Sequence, residues 1–177
     1  MPAIDPQVVT DHFARGDRAA TSSEKGRALE DLIAYLFGRI PGLAVTARNT
    51  LDVPGAQEID VAFWNEGDPE GLRFFDRVLL VECKNWGEPV GHQELAVFSD
   101  KLRSRGRPQG ILVAANGVTG DAILLSQAHR QIARSLEDGR EILVVTRAEI
   151  ESLTDTTDLV VLLKRKLAKL AVSGTSI

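Results

Sequence analysis

Val81-Glu82-Cys83-Lys84-Asn85-Trp86 closes the apolar run that begins at Val78 and sets an acid and a lysine two residues apart. Side chains two residues apart on a strand share a face. Glu82 and Lys84 therefore project side by side, on the face of Val78 and Leu80. Two charges at the end of a buried strand are costly unless something pairs with them. Upstream, Glu58-Ile59-Asp60 offers a second carboxylate from a neighbouring strand. Two carboxylates and an ammonium meet the needs of metal-assisted phosphodiester hydrolysis. The acids suit a hard divalent cation, and the lysine can orient the attacking water or neutralise transition-state charge.

The flanking segments read as one α/β unit. Residues 1–22, with Pro2, Pro6 and few large apolar groups, read as a loosely packed lead-in. A helix is expected from Thr21-Ser22-Ser23, where hydroxyls can cap free N–H groups and Glu24 suits the first turn. Leu29, Leu32, Ile33, Leu36, Phe37 and Ile40 recur at helical spacing until Pro41-Gly42. Three strands follow, over Leu43–Arg48, Glu58–Trp64 and Arg77–Cys83. Next come a helix over His92–Arg103, a strand over Gly110–Ala115, a helix over Gly120–Leu136 and a strand over Glu141–Thr146. Leu159–Val172 is an amphipathic helix, with Leu159, Leu163, Leu167 and Leu170 on one face and Lys164, Arg165, Lys166 and Lys169 around the rest. This order predicts an α-β-β-β-α-β core with a further helix-strand pair and a C-terminal helix. The architecture is a mixed central sheet flanked by helices, its crossovers parallel and right-handed. The expected division is a lead-in over 1–22, a domain over 23–153 and a C-terminal helix and tail over 154–177.

With 177 residues, 44% hydrophobic and 26% charged, the chain is long enough for one well-buried globular domain. It contains no apolar run long enough for a membrane span and no signal-peptide pattern at Met1-Pro2-Ala3. A single cysteine excludes an internal disulfide and points to the cytoplasm. One cysteine and three scattered histidines argue against a structural zinc site. No glycine-rich phosphate loop follows a strand. The net charge of −4 does not suit a nonspecific nucleic-acid binder, so any nucleic-acid contact must come from a local patch.

The ordered elements resemble the PD-(D/E)xK, restriction-endonuclease-like nucleases, and among them the Mrr-type restriction endonuclease domain, over roughly residues 20–153. The resemblance is carried by Gly26-Arg27-Ala28-Leu29-Glu30 in the first helix, Glu58-Ile59-Asp60, Glu82-Cys83-Lys84-Asn85-Trp86, Gln93 and the segment Ala114–Ala122. Ile59 stands where the family's usual proline precedes the aspartate. The resemblance implies that Asp60 and Glu82 ligate Mg2+ or Mn2+, with the backbone carbonyl of Cys83 as a further ligand. It implies that Lys84 handles the nucleophilic water, that Glu30 is an accessory acid, and that Gln93 completes the site from the second helix. Gly26, one turn before Glu30, leaves room for close approach. Both metal-binding acids are expected to repel one another in the metal-free protein, so that removing either leaves the fold intact.

Lys101, Arg103, Arg105 and Arg107 crowd the end of the second helix and the loop after it. As helix-terminal cations they complement a helix C-terminus; as a patch they contact phosphates of DNA. The expected activity is a Mg2+-dependent endodeoxyribonuclease serving restriction of foreign DNA or repair. A branched-DNA resolvase and a non-catalytic nucleic-acid-binding module are the alternatives. The chain leaves no room for a separate DNA-reading domain, so specificity is expected from a homodimer, a partner protein or DNA structure.

Overall fold

The computed structural model describes residues 1–177 except 54, 56, 85, 86 and 118–121, with the backbone alone described over 122–126. Asn85, Trp86 and the 118–121 part of the Ala114–Ala122 segment therefore lie outside the described residues.

Helices α1 (Pro6–Arg18) and α2 (Ser22–Phe37) precede strands β1 (Leu43–Leu51), β2 (Glu58–Asn65) and β3 (Val78–Lys84). Helix α3 (His92–Ser104), strand β4 (Gln109–Ala114), helix α4 (Ala122–Glu137) and strand β5 (Glu141–Thr146) follow. Helices α5 (Arg147–Glu151) and α6 (Thr156–Ser173) complete the chain. The sheet has five strands in the order β1-β2-β3-β4-β5. β1, β2 and β3 form an antiparallel meander, and β3, β4 and β5 are parallel. This is the expected mixed sheet with helical crossovers.

Residues 1–22 are not a loose lead-in. Asp5 caps α1 by accepting from the Gln7 N–H at 2.8 Å, and Pro6 starts the first turn. Val9 and Phe13, one turn apart, bury their side chains against the rest of the core, and Ile4 joins them. The Arg147 guanidinium lies 4.4 Å from the Phe13 ring centre and pairs with Asp17 at 2.9 Å. Few apolar residues suffice because they share one helical face.

Helix α2 begins at a complete capping box: Thr21 and Glu24 satisfy each other's backbone N–H groups. It stops at Gly38 rather than at Pro41-Gly42. In α6, Lys166 leaves the expected solvent face. It is buried, with Glu149 at 2.7 Å and the Ser176 carbonyl at 3.2 Å. The Ser176 hydroxyl donates to Ile142 O and accepts from Val144 N–H, closing part of the β5 edge.

Close approach of α3 to β4 sets up the site. A Cβ added to Gly110 would lie 2.6 Å from Phe98 Cζ and 2.8 Å from a Leu102 methyl carbon, both on α3. Gly110 pairs in register with Leu80, and Leu112 with Glu82, so this is also the face of Glu82. Val81, Cys83, Ile111 and Val113 alternate to the other face and are equally buried.

Gly110→Ala should therefore overpack the α3–β4 contact and destabilise the protein by about 1–3 kcal/mol. Urea unfolding measures this; a midpoint equal to that of the parent chain would mean that α3 lies further from the sheet.

Candidate active site

Five elements meet where β2 and β3 part. The β2–β3 ladder has its last pair at Val61↔Val81. Beyond it the Cys83 N–H donates to the Asp60 carboxylate at 2.7 Å instead of to a β2 carbonyl. Glu82 is 1% exposed. Lys84 Nζ lies 2.7 Å from Glu82 Oε1, so the pairing expected from the two-residue spacing is present. A second ammonium arrives from α3: Lys101 Nζ donates to Glu82 Oε1 at 2.8 Å and Oε2 at 2.7 Å. Glu30, buried on α2, accepts from Asn49 Nδ2 at 2.8 Å and has Arg48 at 3.7 Å. Asn49 takes a left-handed backbone, φ 47°, which asparagine tolerates better than most residues.

The two acids are in different electrostatic states. Burial, and then the nearby charge of Glu82, push the Asp60 carboxyl up to about 6, against the Cys83 N–H and the two lysines. Burial draws the Lys84 ammonium down, but Glu82 outweighs it and the pKa stands above its ordinary value. Burial pushes the Cys83 thiol up; its side chain packs as a small apolar group. The expected repulsion between the two acids is present, but at Glu82 it is set against two ammoniums. Glu82 is the counter-ion of two lysines, and its loss would leave both without their carboxylate.

A cleft of about 390 Å3 opens at this point, lined by Ser22, Gly26, Arg27 and Glu30 of α2, Asn49 of β1, Glu58 and Asp60 of β2, and Cys83 and Lys84 of β3. Hollows of about 470 and 540 Å3 elsewhere contain none of Asp60, Glu82 and Lys84, so charge and not size marks the site. A Cβ on Gly26 would sit 3.5 Å from Glu30 Oε1, an ordinary contact; the glycine is not demanded by space. Among the described residues, no three His, Cys, Asp or Glu side chains form a ready-made metal cage. The donor set of Asp60 and Glu82 fits a cation that binds one or two carboxylates and keeps several waters, as Mg2+ does.

Asp60, Glu82, Lys84 and Glu30 are thus brought together, with the Cys83 backbone beside Asp60. Gln93 is not: it is exposed near the start of α3 and does not line the cleft. The α3 residue that reaches the site is Lys101, about two turns further on. The expected basic patch also separates. Lys101 is buried. Arg105 ties α3 to the β1–β2 hairpin through the Gln57 side chain at 2.9 Å and carbonyl at 3.1 Å. Arg107 pairs with Asp76 at 2.9 Å. Arg103 is exposed, with Asp100 at 2.8 Å. Lys101 could have been suspected from sequence, because it borders the buried Leu95, Phe98 and Leu102 stripe. Asn49 carries no such signal.

A mixed sheet with two acids and a lysine where an antiparallel pair parts is a restriction-endonuclease-like architecture. A family model, Mrr_cat, restriction endonuclease, matches residues 21–153. No curated protein matches the chain. The chain belongs to the Mrr-type restriction endonuclease family and carries a restriction-endonuclease-like nuclease domain. Among the described residues no helix is long and apolar enough to cross a membrane.

The Asp60 shift has a sign that can be checked. Its carboxyl binds a proton more tightly folded, at about 6, than unfolded, near 3.8. The metal-free fold therefore has this stabilisation in full below pH 4 and loses it as pH rises through 6. Asp60→Asn removes the titration and keeps an oxygen for the Cys83 N–H. In EDTA the variant should be more stable than the parent at pH 7, by an amount on the order of 2 kcal/mol, and the gain should vanish near pH 4. Chemical denaturation at both pH values tests this; an equal difference at both would mean that Asp60 is not repelled.

Proposed function

We propose that this chain is a divalent-metal-dependent endodeoxyribonuclease that hydrolyses DNA phosphodiester bonds in the cytoplasm, in restriction of foreign DNA or in repair. One observation carries the reading: Asp60 and Glu82 stand close enough for one to raise the other's pKa, beside Lys84, at a polar cleft. Such repulsion is relieved by a cation. Asp60 and Glu82 would hold Mg2+ or Mn2+. Lys84 O accepts from Ala115 N–H on the β4 side, and alternate residues of a strand point to alternate sides. The Cys83 carbonyl thus faces the β2 side, past the end of the ladder, where it is available as a further ligand. When bound, the ion would supply Lewis acidity to the scissile phosphate and a more acidic water.

The chain's own residues do the rest. Lys84, hydrogen-bonded to Glu82 and lining the cleft, orients the attacking water and offsets charge on the phosphorane-like oxygens. Glu30, fixed by Asn49, is the accessory acid. Arg27, exposed at the cleft wall, is suited to a backbone phosphate. Of the loop cations, Arg103 points most freely to solvent, and Arg105 and Arg107 would contact DNA only from within their ion pairs.

Supercoiled plasmid, branched DNA and single strands, each incubated with Mg2+, Mn2+ or EDTA, test the activity. Cleavage should require the metal and fall to background in Asp60→Asn and Glu82→Gln. Cutting that persists in EDTA would sink the metal reading.

Lys84→Ala should slow cleavage about 10²–10³-fold with little loss of Mn2+ affinity, because an ammonium serves the chemical step and not the ligand set. A calorimetric titration that shows lost affinity with unchanged turnover would reverse the assignment.

A further inference from the structure

Lys101 belongs to none of the roles assigned so far. It lies on α3, is 8% exposed, and takes both oxygens of Glu82 at 2.8 and 2.7 Å. Neither Glu82 nor Lys101 lines the cleft. The carboxylate that the proposed metal requires is thus turned towards the α3 side and held there by one ammonium, with Lys84 on Oε1 as well. An ordinary structural ion pair needs one cation; here two ammoniums stand on one buried carboxylate with Asp60 beside it, so cationic charge already occupies the surroundings of the place where a divalent ion would sit.

Resting on the metal reading above, we propose that Lys101 is a positioning residue that acts as the resident cation of the site. It holds Glu82 in the metal-free protein, and a divalent ion binds only by sharing or displacing it. The physical basis is Coulombic. An ammonium in contact with a ligand carboxylate repels a second cation across a few ångströms of partly desolvated protein, where unit charges interact strongly. The same ammonium lowers the negative charge that Glu82 offers to the ion. Lys101 therefore weakens metal affinity. It also couples metal binding to substrate, because a phosphodiester brings the negative charge that a site with Lys84, Lys101 and a divalent ion lacks. Coupling of this kind is reciprocal: DNA tightens metal binding by the factor by which metal tightens DNA binding.

The position of Lys101 is not incidental. Phe98 and Leu102 press onto Gly110, so the residues that flank Lys101 on α3 are held close to the sheet. Ser104, one turn on, and Arg105 bond Gln57 of the β1–β2 connection, which keeps the end of α3 in place beside Asp60's strand.

The test is calorimetric titration of Mn2+ into the full chain, its Lys101→Met variant and its Lys101→Arg variant, each with and without a short non-cleavable phosphorothioate duplex. Without DNA, Lys101→Met should bind Mn2+ about tenfold or more tightly than the parent. Lys101→Arg, which keeps the charge, should remain near the parent. The duplex should tighten Mn2+ binding in the parent by a larger factor than in Lys101→Met. Should Lys101→Met not fold, Lys101→Gln, neutral but still a hydrogen-bond donor to Glu82, takes its place with the same expectation. Equal or weaker Mn2+ affinity in the neutral variant overturns the role of Lys101 while leaving the metal site standing. No Mn2+ binding by any of the proteins, with or without DNA, overturns the metal reading itself.

Discussion

A buried carboxylate with two ammoniums is the constraint around which this molecule is organised. Glu82 is 1% exposed, and an isolated charge at that depth would be expelled or neutralised. Lys84 and Lys101 pair with it, and each must be delivered from a different part of the chain. Lys84 comes from the same strand, two residues on. Lys101 comes from α3, which must pack within reach of β3. Gly110 permits that approach, because any side chain there would collide with Phe98 and Leu102. One charge arrangement thus dictates a glycine in β4, the seating of α3 and the point at which the sheet's pairing ends.

The parting of β2 and β3 has the same logic. If the ladder continued past Val61↔Val81, the backbone of Cys83 would be consumed by strand pairing and Asp60 would be one more cross-strand partner of Glu82. Instead Asp60 takes the Cys83 N–H, and the carboxyl bears the electrostatic cost in its raised pKa. Catalytic sites are places where such unrelieved charge is kept. The rest of the sheet can carry it because β3, β4 and β5 pair in unbroken parallel register and the residues of β4 and β5 are largely buried.

Much of this was legible in the sequence. The alternation through Val78–Lys84 set the acid and lysine on one face, and the Thr21…Glu24 box marked the start of α2. The element order predicted the meander and the two parallel crossovers, and the family match over residues 21–153 agrees with it. What was not legible was tertiary. Lys101 and Arg105 stand four residues apart in a run of cations; the apolar stripe beside Lys101 hints at burial, but nothing local names Glu82 as its partner or sends Arg105 across to Gln57. Lys166 was placed on the wet side of its helix because its partner, Glu149, belongs to α5. Helix α1 leaves only a faint period, two buried side chains on a thirteen-residue helix, and Asp5-Pro6 is its one N-terminal signal in the sequence. A long-range ion pair leaves no trace in local periodicity.

The dispersal of the basic cluster bears on how an acidic chain, with net charge −4, would engage a polyanion. Arg105 and Arg107 spend their charge within the fold, on the Gln57 hairpin and on Asp76. Arg48 and Arg15 share Asp31 between them. Cations committed to intramolecular partners rigidify the walls of the cleft and release few counterions on binding DNA, so they add little salt-dependent affinity. Such an arrangement favours a precise site over a sticky surface. It follows that affinity must be supplied largely at the cleft itself, which Lys84 and Arg27 both line, or by another protein surface brought alongside.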